Sequence, residues 1–356
     1  MRAVGLYRYL PVDNPESLLD VDVPKPEAAG RDLLVRVRAV SVNPVDTKVR
    51  SPKDKVEAAP RILGWDAAGT VEAVGDQVTL FKPGDDVYYA GSITRPGCNS
   101  EYHLVDERIA GRKPGNLSFE DAAAMPLTTI TAWEALFDRM NVVRLKPDAT
   151  QDHASRGQVG SAFRRTDASI LIIGGASGVG SIAIQLAKKL AGLRVIATAS
   201  RKESSEWCRS LGADDIINHH HSFQEEFKTA GLPEVDYILC LNSTEQHIQN
   251  MADVIKPQGR LCTIVATKGG VPVNINPFQQ KSVAFCWELM FTRSIFQTPD
   301  MQAQHDLLNE ASGLFENGTL RTTRTTGFGE MNAEHLRKAH AELERGDMIG
   351  KLTLSN

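Results

Sequence analysis

The sequence predicts an α/β protein in two parts, an antiparallel barrel-like domain and a doubly wound parallel sheet. Three observations carry this expectation. Up to about Met125 short strands are divided by Gly and Pro, and after Ala168 apolar runs alternate with helical stretches. A glycine turn then sits between the first such run and a helix. A chain of 356 residues has room for two cores, since a domain usually takes ~100–200 residues.

The strands of the first part are legible from their period of two. Leu33, Val35, Val37 and Ala39 alternate with Leu34, Arg36 and Arg38, the pattern of a strand with one buried face. AAGTVEAV, DDVYYA and EYHLV follow, separated by Gly75-Asp76, Lys82-Pro83-Gly84 and Arg95-Pro96-Gly97.

In the second part six strands are expected: SILII (169–173), RVIATA (194–199), DDII (214–217), VDYILC (235–240), RLCTIVA (260–266) and SVAFCWELM (282–290). Six is the number a dinucleotide-binding sheet uses. Ile182, Leu186 and Leu190 share one helix face, and Leu211-Gly212 reads as a helix end with its glycine cap. After Pro299 two amphipathic helices and the strand LTL (352–354) are expected to return to the first domain. Residues 147–167 are polar and aperiodic and read as a mobile surface insertion; their Arg156, Arg164 and Arg165 suit a solvated loop better than an anion site.

Composition excludes several classes. With 42% hydrophobic and 24% charged residues the chain is neither disordered nor low-complexity. Its net charge of -4 is spread without blocks, which argues against a nucleic-acid-binding stripe. The opening MRAVGLYRYLPVDNP lacks the apolar stretch of a secretory signal, and no run is long enough for a membrane span, so a soluble cytoplasmic protein is expected. Cys98, Cys208, Cys240, Cys262 and Cys286 are scattered, without a CxxC or other metal spacing, and suit reduced buried thiols.

The sharpest motif is Gly174-Gly175-Ala176-Ser177-Gly178-Val179-Gly180, directly after SILII and before SIAIQLAKKL. Small residues let the backbone approach a pyrophosphate, whose charge the helix N-terminus then holds. Against GxGxxG, Gly175 and Gly180 take the outer positions, Ser177 replaces the middle glycine, and Gly178 and Val179 open the helix. The second strand ends in Ala199-Ser200-Arg201-Lys202 with nothing acidic before Glu203. A carboxylate there would take the ribose hydroxyls of NAD, whereas Ser200, Arg201 and Lys202 suit a 2'-phosphate, so NADPH is favoured. The plainer alternative is two cations exposed at a helix start. Among His219, His220 and His221 no ligand spacing recurs and no metal is expected, although His219 is a candidate for the adenosine ribose or its phosphate. Asn242, Val265 and Ala266 lie at strand ends, where such a sheet meets its ligand.

With these parts in hand, the chain resembles the medium-chain dehydrogenase/reductase superfamily over essentially its full length. It is most similar to the quinone oxidoreductase branch and the zinc-type alcohol dehydrogenase-like proteins within it. The match rests on Ser41-Val42-Asn43-Pro44-Val45-Asp46, Gly64-Trp65-Asp66-Ala67-Ala68-Gly69, FKPGDDV (81–87), PLTTITAW (126–133) and GGASGVGSIAIQLAK. The resemblance implies a GroES-like, partly open β-barrel catalytic domain over 1–125, completed by 296–356. It also implies a Rossmann NADP-binding domain over 126–295, a cofactor cleft at their junction, and a homodimer or a higher oligomer built by edge-to-edge pairing of SVAFCWELM. By position-matching, Asn43 and Asp46 line the substrate pocket and Thr131 lies beside the nicotinamide.

Zinc-using members carry a Cys near the first motif, His-Glu in the second and four cysteines in a structural loop. Here Trp65-Asp66 stand at the His-Glu place, and Cys98 alone stands in the loop. Indole carbon has no lone pair to offer, and isolated Asp46 or Asp66 does not complete the three donors a catalytic zinc takes, so no metal is expected. The expected activity is therefore zinc-independent transfer of hydride from NADPH to a quinone or an α,β-unsaturated carbonyl, with Tyr88 and Tyr89 as candidate proton donors. The alternatives are a zinc-dependent alcohol dehydrogenase and a catalytically idle NADPH-binding sensor or scaffold.

Overall fold

The computed structural model describes residues 1–145 and 168–356; the expected insertion over 147–167 lies outside the described residues. The chain divides into two compact units, Met1–Ile130 with Met290–Asn356, and Thr131–Leu289. The sequence places the divisions at 125/126 and 295/296. Local bonds account for the difference: the Leu127 amide donates to Asp66 in the first unit, and the Met290 carbonyl accepts from Gln304 there.

The first unit begins with β1 (Arg2–Tyr9), β2 (Leu19–Asp22), β3 (Asp32–Ser41), α1 (Pro44–Arg50), β4 (Lys53–Ile62), β5 (Ala67–Val74), β6 (Asp86–Tyr89), β7 (Tyr102–Asp106) and β8 (Ala110–Arg112). Short helices α2 (Phe119–Ala123) and α3 (Pro126–Trp133) follow. β2, β1 and β4 form a small antiparallel sheet. β3 is the spine of a larger one, paired antiparallel with both β5 and β7. Its predicted alternation is real, for Leu33, Val35, Val37 and Ala39 are buried while Arg36 and Arg38 face outward.

The second unit holds β9 (Ser169–Ile173), α4 (Gly178–Lys189), β10 (Arg194–Thr198), α5 (Lys202–Leu211), β11 (Asp215–Ile217), α6 (Phe223–Ala230), β12 (Val235–Cys240), α7 (Thr244–Val254), β13 (Ile255–Thr263) and β14 (Ala284–Trp287). The six strands are parallel, in the order β11-β10-β9-β12-β13-β14. Leu171, Ile196, Ile238 and Leu261 from four of them pack with Phe223, Phe227 and Met251 in one core. Three of the expected strands end early, β10 by the single residue Ala199. Residues 264–266 leave β13 for a loop, and only Ala284–Trp287 of the expected 282–290 pairs, because its single neighbour β13 offers partners only from Arg260 to Thr263.

The chain then returns to the first unit through α8 (Thr292–Phe296), α9 (Ala303–Glu316), β15 (Arg324–Glu330), α10 (Ala333–Glu344) and β16 (Lys351–Ser355). β15 escapes sequence reading, since its RTTGFGE lacks an apolar face. β16 pairs parallel with β15 and antiparallel with β3. Among the described residues no helix is long and apolar enough to cross a membrane.

Candidate functional site

In the second unit the glycine turn joins β9 to α4 at the point where strand order reverses, since β10 lies on one side of β9 and β12 on the other. Such reversals open a crevice at the carboxyl ends of the strands. Gly174 turns with φ +85°, and its amide donates to Thr198 Oγ1 at 3.0 Å. A Cβ on Gly175 would stand 2.7 Å from the Ala197 Cβ, and one on Gly180 would stand 2.6 Å from the Gly175 carbonyl oxygen. Both positions therefore exclude any side chain. Ser177 caps α4, its hydroxyl accepting from the Gly180 amide at 3.1 Å. The amides of Gly178 and Val179 fall in the first turn, where helix N–H groups have no partner within the helix.

The other expected cofactor residues follow neighbouring strands. Ser200 and Arg201 come after β10 and are exposed, Arg201 standing at the N-cap of α5 and Lys202 beginning that helix. Lys202 faces Glu206 at 3.9 Å across an exposed helix turn. His219 follows β11, half-buried against the His220 ring, and its Nδ1 has no hydrogen-bond partner among the described residues. Burial, reinforced by His220, lowers its pKa and favours the neutral ring. Asn242 follows β12 beside Gly174, and Val265 and Ala266 follow β13. The Val265 carbonyl accepts from the Thr244 hydroxyl at 3.1 Å.

In the first unit Asn43 and Asp46 belong to a buried polar network. Asn43 is the N-cap of α1 and Pro44 starts the helix; the Asn43 amide donates to Asp46 Oδ2 at 2.6 Å. The Asn43 side chain turns elsewhere, its Nδ2 donating to Asp66 Oδ2 at 3.1 Å and its Oδ1 accepting from Lys351 Nζ at 2.5 Å. Lys351 also donates to the Val42 carbonyl and pairs with Asp66 at 3.1 Å. Asp66 Oδ1 takes the Leu127 amide. Pairing of Thr353 with Ser41 between β16 and β3 is what delivers Lys351 to this point.

Burial raises the pKa of both carboxyl groups. Asp66 is raised against the opposing effect of Lys351, Asn43 and the Leu127 amide. Asp46 is pushed up to about 7, with the Asn43 amide and Lys351 opposing the rise, and its Oδ1 has no hydrogen-bond partner among the described residues.

Thr131 is buried in α3. The tyrosine candidates need correction. Tyr88 and Tyr89 are fully buried, with Tyr88 donating to the Leu308 carbonyl at 2.6 Å and Tyr89 bonded to His103, and burial raises both pKa values. Neither hydroxyl is placed to give up a proton. A cavity of about 250 Å³ in this unit, walled by Pro24, Pro26, Pro60 and Pro96, includes neither Asn43 nor Asp46 in its lining.

Sequence reading missed Lys351, which lies 308 residues from Asn43 and carries no signal beyond preceding a strand. It also treated Asp46 and Asp66 as isolated, whereas Asn43 bonds to both and the charge of Asp66 raises the pKa of Asp46.

Comparison with known proteins finds two family matches. Residues 29–131 match the alcohol dehydrogenase GroES-like domain, and residues 178–309 match the zinc-binding dehydrogenase family. A zinc-type alcohol dehydrogenase-like protein of Staphylococcus aureus is 42% identical over 355 residues, covering 100% of both chains. The chain belongs to the medium-chain dehydrogenase/reductase superfamily. A quinone oxidoreductase of Lama guanicoe, within the same superfamily, is 31% identical and spans 78% of this chain and 76% of its own. A solved structure from Rhizobium etli CFN 42, provisionally assigned as a zinc-dependent alcohol dehydrogenase, superimposes with a TM-score of 0.90 at 47% identity, covering 100% of this chain and 98% of that one. The protein is thus a medium-chain oxidoreductase with a GroES-like domain and a Rossmann-type parallel sheet.

The zinc in those names can be tested against the residues present. Asp66 is already neutralised by an ammonium at 3.1 Å, and the Trp65 indole N–H donates to the Ser92 carbonyl at 3.0 Å. The Cys98 thiol points at the Asp66 carbonyl oxygen, and burial raises its pKa, disfavouring the thiolate a metal binds. Among the described residues no three His, Cys, Asp or Glu side chains are grouped to hold a metal ion. This donor set does not fit a catalytic zinc, which takes three N, S or O ligands.

Proposed function

We propose that this medium-chain oxidoreductase uses NADPH to reduce a quinone or an α,β-unsaturated carbonyl without zinc, as a cytoplasmic homodimer. The observation that carries the reading is the Lys351–Asp66–Asn43 network where a metal-dependent relative needs ligands. A zinc ion contributes several kcal/mol by stabilising charge on an alkoxide or a polarised carbonyl. Quinones and enones spread the incoming charge over a conjugated system and need less of that help.

When bound, the nicotinamide supplies the hydride. The chain's own residues would hold and orient the dinucleotide, Gly175, Ser177, Gly178, Val179 and Gly180 at the pyrophosphate, and Ser200, Arg201 and Lys202 at the 2'-phosphate. His219, Asn242, Val265 and Ala266 would complete the rim, and Thr131 would stand on the nicotinamide side. Exposed cations after β10, with no carboxylate before Glu203, support NADPH over NADH. Asn43 and Asp46 form the polar wall toward the substrate. The homodimer reading is supported by β14, which ends the sheet and is accompanied by exposed Trp287 (52%) and Leu289 (51%).

The test combines metal analysis with NADPH and NADH oxidation on a panel of quinones and enones, with chelator present. Turnover with NADPH in protein lacking stoichiometric zinc is expected. Activity that requires one bound zinc per chain would identify a zinc alcohol dehydrogenase. Stabilisation by NADPH with no turnover on any acceptor would identify an idle binding protein.

A further inference from the structure

The turn after β11 and the first turns of α7 are both fastened to the start of α6. Glu226 of α6 accepts from the Asn218 amide and from the His221 ring, each at 2.8 Å, which fixes the turn that carries His219 and His220. Phe223, the first residue of α6, stacks on the His247 ring of α7 with centroids 5.5 Å apart. Thr244, which opens α7, is tethered by its hydroxyl to that of Thr263 at 2.6 Å. Just before α7 the Asn242 side-chain nitrogen lies beside the glycine turn, 3.6 Å from the place of a Cβ on Gly174. On the other side of β9 the Ala199 amide donates to the Ile217 carbonyl, so the register of β10 with β11 runs on and sets Ser200 alongside the turn after β11. With a pyrophosphate on the glycine turn, the space these groups border is the one left for the adenosine half of a dinucleotide.

Buried polar atoms here lack partners. His219 Nδ1, Glu245 Oε2 and His247 Nδ1 have no hydrogen-bond partner among the described residues, and His247 is only 5% exposed. Leaving such atoms unpaired is costly, so their gathering in one place calls for a polar ligand. Burial lowers the pKa of His247, with His219 and His220 adding to the effect and Glu245 opposing it, so the ring is neutral and free to carry its proton on Nδ1. A carboxylate acceptor beside an N–H donor is complementary to a group that presents a donor beside an acceptor. Adenine presents that pair where its exocyclic amine adjoins a ring nitrogen.

We propose that Glu245 and His247 read the amino edge of the adenine base and make the site specific for an adenine dinucleotide, Glu245 Oε2 accepting from the N6 amine and His247 Nδ1 donating to the adjacent ring nitrogen. The inference deepens the function proposed above and rests on its dinucleotide reading, whichever of NADPH and NADH is bound. A base with a carbonyl in place of the amine loses the bond to Glu245 and sets its oxygen against a carboxylate. Such a base also leaves a buried acceptor unpaired, which is how a site built for an N–H group rejects the analogue lacking it.

The experiment is a fluorescence titration of the native full-length protein with NADPH and with NADH, each compared with its hypoxanthine analogue. The analogue has a carbonyl in place of the N6 amine and keeps the reduced nicotinamide that reports binding. Each dinucleotide that binds is expected to do so at least about tenfold more tightly than its analogue. The Gln side chain accepts from an amine and donates to a carbonyl equally well, so in Glu245→Gln the ratio is expected to fall to about threefold or less. His247→Phe keeps the stack on Phe223 and is expected to lower the ratio too. An analogue that binds the wild-type protein as tightly as its parent overturns the proposal and leaves the dinucleotide site standing, whatever the folding of the variants. A ratio that survives unchanged in Glu245→Gln, with thermal unfolding showing that variant to be folded, overturns the assignment to Glu245. Failure of every dinucleotide to bind overturns both readings together.

Discussion

At the scale of single residues the buried pair of Lys351 and Asp66 makes the clearest prediction. Removing one partner leaves an uncompensated charge, which typically costs ~3–5 kcal/mol, whereas replacing both by neutral groups of similar shape costs much less. Lys351→Met is therefore expected to lower the urea unfolding free energy by about that amount, and Lys351→Met with Asp66→Asn to recover most of the loss. Asp46 adds a pH dependence. Its carboxyl titrates near 3.8 when unfolded and at about 7 when folded, so between those values the folded chain holds more protons. Stability from this group thus falls as pH rises from about 4 to about 7 and is level outside that window. Unfolding curves across pH 4–8 are expected to show this slope, and Asp46→Asn to flatten it.

Single elements carry the cofactor predictions. The turn between β9 and α4 closes only because Gly175 and Gly180 lack Cβ atoms. Gly180→Ala is expected to weaken dinucleotide binding at least about tenfold by fluorescence titration, since the added methyl must push apart two carbonyl groups of the turn. Arg201→Ala tests the phosphate assignment. A charge-assisted hydrogen bond contributes ~1.5–3 kcal/mol, so NADPH is expected to bind about ten- to a hundredfold more weakly while NADH is unchanged. An unaltered NADPH preference would remove Arg201 from the site.

At the scale of the whole molecule, pairing of two copies through β14, at one edge of the six-stranded sheet, is the proposal to check. Sedimentation is expected to show a dimer, and Trp287→Glu to yield monomers by placing a charge beside that edge. A wild-type monomer at micromolar concentration would refute the edge-pairing reading.

Much of the fold was open to reading from the chain alone, because its signals are local. The alternation at Leu33, Val35 and Val37, the apolar runs at 169–173 and 235–240, and the glycine turn before α4 each depend on neighbours a few residues apart. What the chain order conceals is anything built by distant segments. β15 went unseen because its partner, not its own composition, makes it a strand. Lys351 reaches Asn43 and Asp66 only through the pairing of β16 with β3, and His247 comes near His219 only because α6 fastens both of their segments. Periodicity and turn chemistry travel with the sequence, whereas the charge, proton affinity and reactivity of a buried side chain depend on which remote groups the fold sets beside it.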